Sequence, residues 1–516
     1  MKFVAAATVA ALAVAVSAQK TLEYEIKKGI PGLRMGRPLP PLVGKRFGKR
    51  DTLTSMIVNN ITGGGYYIDV EVGTPGQPMT MILDTGSSDA WILDVEADLC
   101  HSKTLQEKHG DYCSPTYDSS KSSTYKLAVE DGFRIQYLDS SEATGDYITD
   151  DFKIANMTIK DLQMGLADKV AMGTGVLGIG FPENVAATDK YPNIIDQLAE
   201  QGVINSRAYS LYLNDRRSAT GNILFGGIDT NKFMGELSVL PIQRYGLKYS
   251  HFVVSMSDLT LTYNGQEESA LQAVVNSTGV RGASAILDSG TTLSYLPDKA
   301  STILVEALNA YTDYAKTGLT FIDCGLLSSD MKLTFVFNHT TSIVVPVQEM
   351  VLDMLDGLDE YFPPDLPFDD VCLFGIQSTN SFGDDMGATS LLGDTFLRSA
   401  YVVYDLDHKQ IGMAQANWNS TETQILELSS DSDSLPAATG VQDGQATTTA
   451  TDTVKPSRTA GGGSSTTDAG KETVTVTSTP VMNAARAIST AGVDVLGVMV
   501  LAGVFSIFGG GVLFML

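Results

Sequence analysis

Two aspartates in matching surroundings are the residues of this chain best suited to carry chemistry. Asp84 lies in the stretch Ile82–Ser88, and Asp288 lies in the stretch Ile286–Thr292. In each stretch, two apolar residues that favour β-strands lead into Asp, a small hydroxyl residue, Gly and two further hydroxyl residues. This pattern predicts a buried strand that ends in a tight turn displaying a carboxylate. Two carboxylates brought together can share one proton, so that one serves as a base and the other as an acid.

A lone Asp-Thr-Gly is more often an ordinary turn, because Asp and Gly favour turns for local reasons. The repetition argues against that interpretation here. A second pair of similar segments, Gly175–Gly178 and Ser390–Gly393, follows the two aspartates at comparable intervals. The chain is therefore predicted to consist of two related halves.

With these motifs the sequence resembles the pepsin-like aspartic proteases over residues 66–418. Further matching segments are Tyr66–Pro75, Ala90–Ile92 and Leu392–Arg398. The resemblance implies an all-β, bilobal fold of two related lobes with a cleft between them and few short helices. It also implies an aspartic endopeptidase in which Asp84 and Asp288 activate a water for attack on the peptide carbonyl, without an acyl-enzyme.

The resemblance assigns supporting roles to the residues that follow each aspartate. Thr85 and Ser289 are expected to tie the two loops together, and Ser87 and Thr291 to hydrogen-bond the outer carboxylate oxygens. The alternative is that such hydroxyls satisfy only the local backbone. A carboxylate that accepts hydrogen bonds from hydroxyls and glycine amides is held in place. The supporting set is Thr85, Gly86, Ser87, Ser289, Gly290 and Thr291.

A hairpin flap over the cleft is the next implied feature. Its tyrosine is Tyr137, which is expected to bond Trp91, while Leu138 and Ser140 replace two glycines usual in the family. Asp139 followed by Ser resembles fungal members that accept Lys or Arg at P1, the residue before the cleaved bond. The alternative is that Asp139 forms the turn and points to solvent.

Most of the chain between residues 65 and 230 alternates β-formers with turn residues, which predicts an all-β lobe. The predicted strands are Tyr66–Val72, Met79–Leu83, Phe133–Tyr137, Tyr147–Ile154 and Ser210–Leu213. Helices are predicted at Asn193–Gln201 and, after a Pro-Asp start signal, at Asp298–Tyr314. The two lobes are assigned to residues 51–230, with Asp84, and 231–418, with Asp288.

The N-terminus carries processing signals. Residues 1–18 combine an apolar run with a small-residue cleavage site, which predicts a signal peptide. Residues 19–50 contain the dibasic pairs Lys45-Arg46 and Lys49-Arg50 and are interpreted as a basic propeptide; the alternative is a disordered basic arm. The first 50 residues hold ten Lys or Arg against two Glu, a net charge of +8 that leaves −33 for the rest. A positive propeptide would sit well across an acidic cleft.

The C-terminus predicts a membrane anchor. Residues 419–483 are rich in Ser and Thr, which indicates an O-glycosylated stalk or a plain flexible linker. Residues 484–516 end in an uncharged apolar run without a following Lys or Arg. This is typical of a glycosylphosphatidylinositol (GPI) signal that is removed, with attachment at Asn483, rather than of a transmembrane helix.

Four cysteines in a chain with a signal peptide predict two disulfides, for which three pairings are possible. Proximity and the family resemblance favour Cys100–Cys113 and Cys324–Cys372. No His stands at ligand spacing from a Cys, so neither a metal nor another cofactor is expected. Five sequons are candidates for N-glycosylation: Asn60, Asn156, Asn276, Asn338 and Asn419.

The net charge of −25 argues against nucleic-acid binding, because little here would neutralise phosphates. No His-Glu-x-x-His pair and no Gly-x-Ser-x-Gly elbow is present. The propeptide, stalk and anchor together resemble the fungal yapsin-type proteases. We expect a monomer on the outer face of the cell membrane, or in the wall, with peptide substrates. The alternative function is that of a catalytically inactive surface or wall protein with the same fold.

Overall fold

The computed structural model describes residues 20–28, 65–109, 113–139, 141–271, 282–314, 317–353, 366–386 and 389–442. Strands dominate this part of the chain, so the predicted all-β fold is confirmed. The predicted signal peptide, the dibasic pairs, Asn483 and the GPI signal lie outside the described residues, as do residues 443–482 of the predicted stalk.

A thirteen-stranded sheet crosses both halves of the described chain. In spatial order its strands are β12 (Phe233–Pro241), β27 (Gln410–Ala416), β26 (Ala400–Asp405), β9 (Ala208–Tyr212), β10 (Thr220–Phe225), β1 (Leu22–Lys28), β2 (Tyr66–Val72), β3 (Gln77–Asp84), β8 (Gly175–Gly178), β4 (Ala90–Leu93), β7 (Met157–Val170), β6 (Glu142–Ile154) and β5 (Lys126–Gln136).

Three smaller sheets complete the strand content of the described residues. The second half is built on β21 (Thr341–Pro346), β20 (Lys332–Phe337), β14 (Lys248–Tyr263), β16 (Ala283–Leu287), β25 (Ser390–Leu392), β17 (Ser294–Leu296) and β24 (Ile376–Ser378), with β13 (Gln243–Tyr245) and β15 (Gln266–Ser269) added to β14. The others are β18 (Tyr311–Thr312), β19 (Thr320–Asp323), β23 (Val371–Phe374) and β22 (Val351–Leu352), and the pair β11 (Gly227–Asp229) and β28 (Ile425–Glu427).

The predicted strands are all found; the bounds agree fully for β2, whereas β5 begins at Lys126, well before the predicted Phe133. In β2 every residue except Asp69 and Glu71 is buried. Burial alternates from Ile68 to Val72, as expected of a strand with one face on the core, and Tyr67 is buried on the opposite face. Five α-helices lie within the described residues: α1 (Asp98–His101), α2 (Lys103–His109), α3 (Ile194–Glu200), α4 (Asp298–Ala307) and α5 (Asp394–Leu397). None of the helices in the described part of the chain has the length and apolar run needed to cross a membrane.

The predicted ends agree closely with the structure for the first helix but not for the second. Asn193 caps α3, where its side chain accepts hydrogen bonds from the first-turn amides. The prediction that the second helix reaches Tyr314 is wrong, because α4 ends at Ala307. Asn309 lies just beyond it with a φ of 51°, the left-handed conformation that commonly stops helices.

The two halves repeat one arrangement of strands around each aspartate. In the first half β3 runs parallel to β8, where Ile82 faces Val176, and β2 lies antiparallel on the other side of β3. In the second half β16 runs parallel to β25, where Ile286 faces Leu391, and β14 lies antiparallel beside β16. The predicted internal repeat is therefore present in the strand pairing itself.

The packed body extends beyond both predicted limits. β1, inside the predicted propeptide, pairs with β10 and β2, and its Leu22 and Ile26 are buried. At the other end, the chain after Trp418 pairs through β28 and buries Leu428 and Leu435. The prediction that residues 419–483 form a stalk or a flexible linker is therefore wrong for residues 419–442.

Candidate active site

The two predicted aspartates lie together at the ends of the central strands. Asp84 is the last residue of β3, and Asp288 directly follows β16. Both carboxylates line a cavity of about 220 Å³ that is roofed by residues of the hairpin between β5 and β6. Asp84 and Asp288 are 5% and 8% exposed, so the pair is largely removed from water.

Each carboxylate accepts the same two hydrogen bonds from its own loop. Oδ1 of Asp84 accepts from the Gly86 amide at 2.8 Å, and Oδ2 accepts from the Ser87 hydroxyl. Oδ1 of Asp288 accepts from the Gly290 amide at 2.9 Å, and the Thr291 hydroxyl donates to its Oδ2 at 2.7 Å. The repeated motif thus gives each carboxylate the same hydrogen bonds from a glycine amide and a hydroxyl.

Thr85 and Ser289 lock the two loops together. The Ser289 amide donates to Thr85 Oγ1 at 2.9 Å, and the Thr85 amide donates to Ser289 Oγ at 3.2 Å. Each hydroxyl then donates to a carbonyl of the opposite strand, Thr85 to Leu287 at 3.0 Å and Ser289 to Leu83 at 2.8 Å. These four buried bonds fix the distance between the halves at the point where the acids meet.

Gly86 and Gly290 allow the two carboxylates to approach each other. A Cβ on Gly86 would lie 2.5 Å from Oδ1 of Asp288, and a Cβ on Gly290 would overlap Oδ1 of Asp84. Any side chain at either position would therefore push the opposite acid away. Glycine is required here by space, and the two Oδ1 atoms face the interior of the pair.

The pKa of the Asp84 carboxyl is raised to about 8, first by burial and second by the negative charge of Asp288 beside it. The hydrogen bonds from Ser87 and Gly86 act in the opposite direction. Two close carboxyls in a buried site cannot both ionise readily, so one proton is held by the pair over a wide pH range. Such a pair can take a proton from a water and give one to a carbonyl oxygen.

The hairpin between β5 and β6 forms the flap predicted from the sequence. The Trp91 indole N–H donates to the Tyr137 hydroxyl at 2.8 Å. Leu138 packs onto apolar residues of the second half, across the cleft from its own strand. Asp139 is exposed at the flap tip and lines the cavity, while Oδ1 accepts from the Ser141 amide at 2.9 Å. Ser140 lies outside the described residues.

A profile of the family described as Eukaryotic aspartyl protease matches residues 65–416. The chain belongs to the eukaryotic aspartyl proteases. It is 39% identical over 386 residues to the probable aspartic-type endopeptidase opsB of Aspergillus fumigatus, an alignment that covers 73% of each chain. It is also 32% identical to barrierpepsin of Saccharomyces cerevisiae, over 71% of this chain and 63% of that one. Candidapepsin-4 of Candida albicans is 32% identical, over 72% and 81% of the two chains. The molecule is therefore an aspartic endopeptidase, a hydrolase of peptide bonds.

The cleft of the protease has two walls built by equivalent residues. The Asp84 wall is formed by Ile82 and Val176, which line the cavity. Trp91 is fully buried beside this wall and faces Val176 on the neighbouring strand, so it does not line the cavity itself. The Asp288 wall is formed by the equivalent residues Ile286, Leu391 and Tyr295. In this wall Tyr295 faces Leu391. Tyr295 stands where the first half has Trp91, and Phe382 packs on its ring at 4.5 Å between centroids.

Sequence reasoning missed Tyr295, Phe382 and His251 as cleft residues. Tyr295 could have been found by aligning the two halves around the aspartates, since it has the strand position of Trp91. No local motif marks His251 or Phe382. They reach the cleft only through strand pairing and packing in the folded chain.

Both predicted disulfides of the protease, Cys100–Cys113 and Cys324–Cys372, are confirmed. Asp353 lies near the second, and together they form the one cluster of potential metal ligands in the described residues. Sulfurs joined in a disulfide are not thiolates, so this cluster does not offer a cysteine metal site.

Three of the five predicted sequons fall on exposed positions of the described chain. Asn156 lies in the turn between β6 and β7, and Asn338 lies in the turn between β20 and β21. Asn419 is exposed as well, although its amide group donates to Asp215 at 3.0 Å. Asn60 and Asn276 lie outside the described residues.

Proposed function

We propose that Asp84 and Asp288 are the catalytic pair of this endopeptidase. The enzyme would be made as a zymogen, anchored by GPI on the outer face of the cell membrane, and would accept basic as well as large apolar P1 residues. The observation that carries the catalytic assignment is the pair of equivalent carboxylates, each held by a glycine amide and a hydroxyl.

In this mechanism the pair begins with one proton and one negative charge. The ionised carboxylate takes a proton from a water, whose oxygen attacks the peptide carbonyl carbon, while the protonated carboxyl gives its proton to the carbonyl oxygen. The carboxyl that took the water proton then gives it to the nitrogen, the C–N bond breaks and the nitrogen leaves as an amine. A hydroxyl of the intermediate returns its proton to the other carboxylate as the new carboxyl group forms. The pair finishes with one proton, and no covalent bond to the enzyme forms.

Asp139 supports the proposal for basic P1 residues. Only Oδ1 of its carboxylate has a hydrogen-bond partner among the described residues, where it accepts from the amide and hydroxyl of Ser141. Oδ2 therefore remains available to a substrate ammonium group in the cleft. A pair of this kind in a partly desolvated site is worth about 1–3 kcal/mol, or roughly ten- to a hundredfold in kcat/KM.

The test compares matched peptides with Lys and Leu at P1 in wild type, Asp139→Ala and Asp139→Asn. Asn preserves an acceptor for the Ser141 bond but removes the charge, so it separates turn formation from charge recognition. We expect both variants to lose the Lys peptide selectively, by about tenfold or more in the Lys/Leu ratio. An unchanged ratio in both variants would refute the role given to Asp139.

The dibasic pairs Lys45-Arg46 and Lys49-Arg50 support the zymogen proposal. Treatment of the purified precursor with a dibasic-specific protease should raise its activity and yield an N-terminus at residue 47 or 51. Replacement of both pairs by Ala should prevent the activation. Full activity of the uncleaved precursor would rule out latency.

The uncharged apolar C-terminus supports the anchor proposal. Phosphatidylinositol-specific phospholipase should release the mature protease from membranes. Retention after treatment, with peptides from residues 484–516 still detected by mass spectrometry, would instead indicate a transmembrane anchor.

A further inference from the structure

His251 is a buried histidine at the cleft that the proposed chemistry does not use. It lines the same cavity as the two aspartates and is 5% exposed. Nδ1 lies 2.9 Å from Ser250 Oγ, whereas Nε2 is buried without a hydrogen-bond partner among the described residues. A buried polar atom without a partner is unfavourable, and in a binding cleft it is an atom that a ligand can satisfy.

The place of His251 in the fold assigns it to one wall. Val253 of β14 faces Ile286, as Tyr67 of β2 faces Ile82 in the first half. Two residues before each of these positions stand His251 and Gly65, and both line the cavity. The second half therefore carries an imidazole where the first half has no side chain.

His251 stands two residues before Val253 on β14, beside an apolar cluster. Val253, Ile286, Met386 and Leu391 form a buried cluster on the Asp288 wall, against which Tyr245, Tyr295, Phe382 and the flap residue Leu138 pack. The Tyr245 ring lies 5.1 Å from the imidazole. Burial lowers the pKa of His251 to about 4, so the imidazole is neutral over most of the pH range. One neutral hydrogen-bonding atom in an apolar subsite favours a substrate side chain that is apolar except for one polar group.

We propose that His251 is a specificity-determining residue that selects a hydroxyl- or amide-bearing side chain at P1′, the residue after the cleaved bond. This inference rests on the proposed catalytic pair, because the two walls lie on opposite sides of that pair. Tyr137 of the flap packs against the cluster that contains Ile82 and Val176, and we place the P1 side chain on this side of the catalytic pair. The P1′ side chain then falls on the Asp288 wall. Leu138 covers this subsite, which excludes water and strengthens a hydrogen bond made there.

The experiment uses peptides that differ only at P1′, as the isosteric pairs Thr and Val, and Tyr and Phe. Wild type should favour the hydroxyl member of at least one pair by about fivefold in kcat/KM, the usual worth of one hydrogen bond in such a site. His251→Phe should abolish that preference, whereas His251→Gln, which retains a polar group at similar reach, should preserve it. Ser250→Ala, which removes the Nδ1 partner, should reduce it. Absence of any preference in wild type, or an unchanged preference in His251→Phe, overturns the proposal.

A binding measurement separates this inference from the catalytic proposal. Non-cleavable analogues of the same peptide pairs, with a reduced scissile bond, should show the same preference in Kd in wild type and lose it in His251→Phe. That result would stand even if Asp84→Asn proved active. Equal Kd values for both members of each pair would refute the role of His251 whatever the fate of the catalytic assignment.

Discussion

Ser289 and Thr85 connect the two halves through side chains, and the sequence motif already indicated them. Each of their hydroxyls is buried and takes part in two hydrogen bonds across the pair of loops. Ser88, three residues after Thr85, is also a buried serine, but its hydroxyl has no partner among the described residues. These two serines offer a direct comparison of one substitution in two environments.

We predict that Ser289→Ala lowers the free energy of unfolding by about 2 kcal/mol, because it leaves a buried amide and a buried carbonyl without a partner. Ser88→Ala should change it by less than about 0.5 kcal/mol, since no bond is lost. Urea denaturation of both variants and wild type measures the difference. Equal losses would show that the inter-loop bonds contribute nothing specific.

The site residues that the sequence predicted are positioned by local turns, whereas those it missed are positioned by contacts between distant parts of the chain. Asp84 and Ser87 belong to one turn, Asp288 and Thr291 belong to another, and the hydrogen bonds of a turn follow from its own residues. His251 enters the cleft because β14 pairs with β16, a contact between distant parts of the chain. No sequence motif within β14 indicates that pairing, so only the structure shows that His251 lies in the cleft.

At the scale of elements, two segments of the packed body were not predicted from the sequence, because the composition around them is typical of unfolded segments. β1 alternates Leu22, Tyr24 and Ile26 with charged residues, a period of two that indicates a strand, but the adjoining sequence is rich in Pro and basic residues. Residues 419–442 are mostly small and polar. Their few apolar side chains are widely spaced, so averaged composition obscured them.

Leu428 and Leu426 test the packing of this C-terminal segment. Leu428 is 3% exposed in a cluster that includes Phe233 and Tyr401, whereas Leu426, two residues earlier in β28, is 37% exposed. We predict that Leu428→Ala lowers the free energy of unfolding by about 2–4 kcal/mol and that Leu426→Ala lowers it by less than about 1 kcal/mol. Urea denaturation again gives both values. A harmless Leu428→Ala would mean that the segment does not stabilise the fold.

At the scale of the whole molecule, the sheet that crosses both halves is the feature least accessible from sequence. Tyr212 of β9 faces Tyr401 of β26, so strands that are far apart in the chain lie side by side. Local patterns predict strands but not their neighbours. The repeat predicted two halves and one acid from each; it did not predict that the strands joining the halves share one sheet.

Because burial and the nearby charge of Asp288 both raise the pKa of Asp84, the pH dependence of the molecule's stability should report the buried site that the two halves form together. The pKa of Asp84 is raised from 3.8 to about 8 in the folded protein. The folded state therefore binds this proton more tightly than the unfolded state, and the stability it contributes is present below about pH 4 and lost as the pH rises through about 8. Asp84→Asn has no such proton to lose.

We accordingly predict that the Tm of wild type falls more steeply between pH 4 and pH 8 than the Tm of Asp84→Asn. Other buried carboxyls, such as Asp89, contribute to both proteins and cancel in the comparison. Differential scanning calorimetry at the two pH values gives the result. Parallel declines in the two proteins would contradict a raised pKa at Asp84.

The central claim, that two carboxylates from two halves act as one catalytic unit, is tested most directly by kcat for a matched apolar peptide. Asp84→Asn and Asp288→Asn should each lower kcat by about a thousandfold or more, because either change removes one member of an acid–base pair. Asp161→Asn, at an exposed position with a φ of 50° that Asn tolerates, is the control and should retain the wild-type kcat. Near-wild-type turnover in either cleft variant, with its fold intact by calorimetry, would contradict the account.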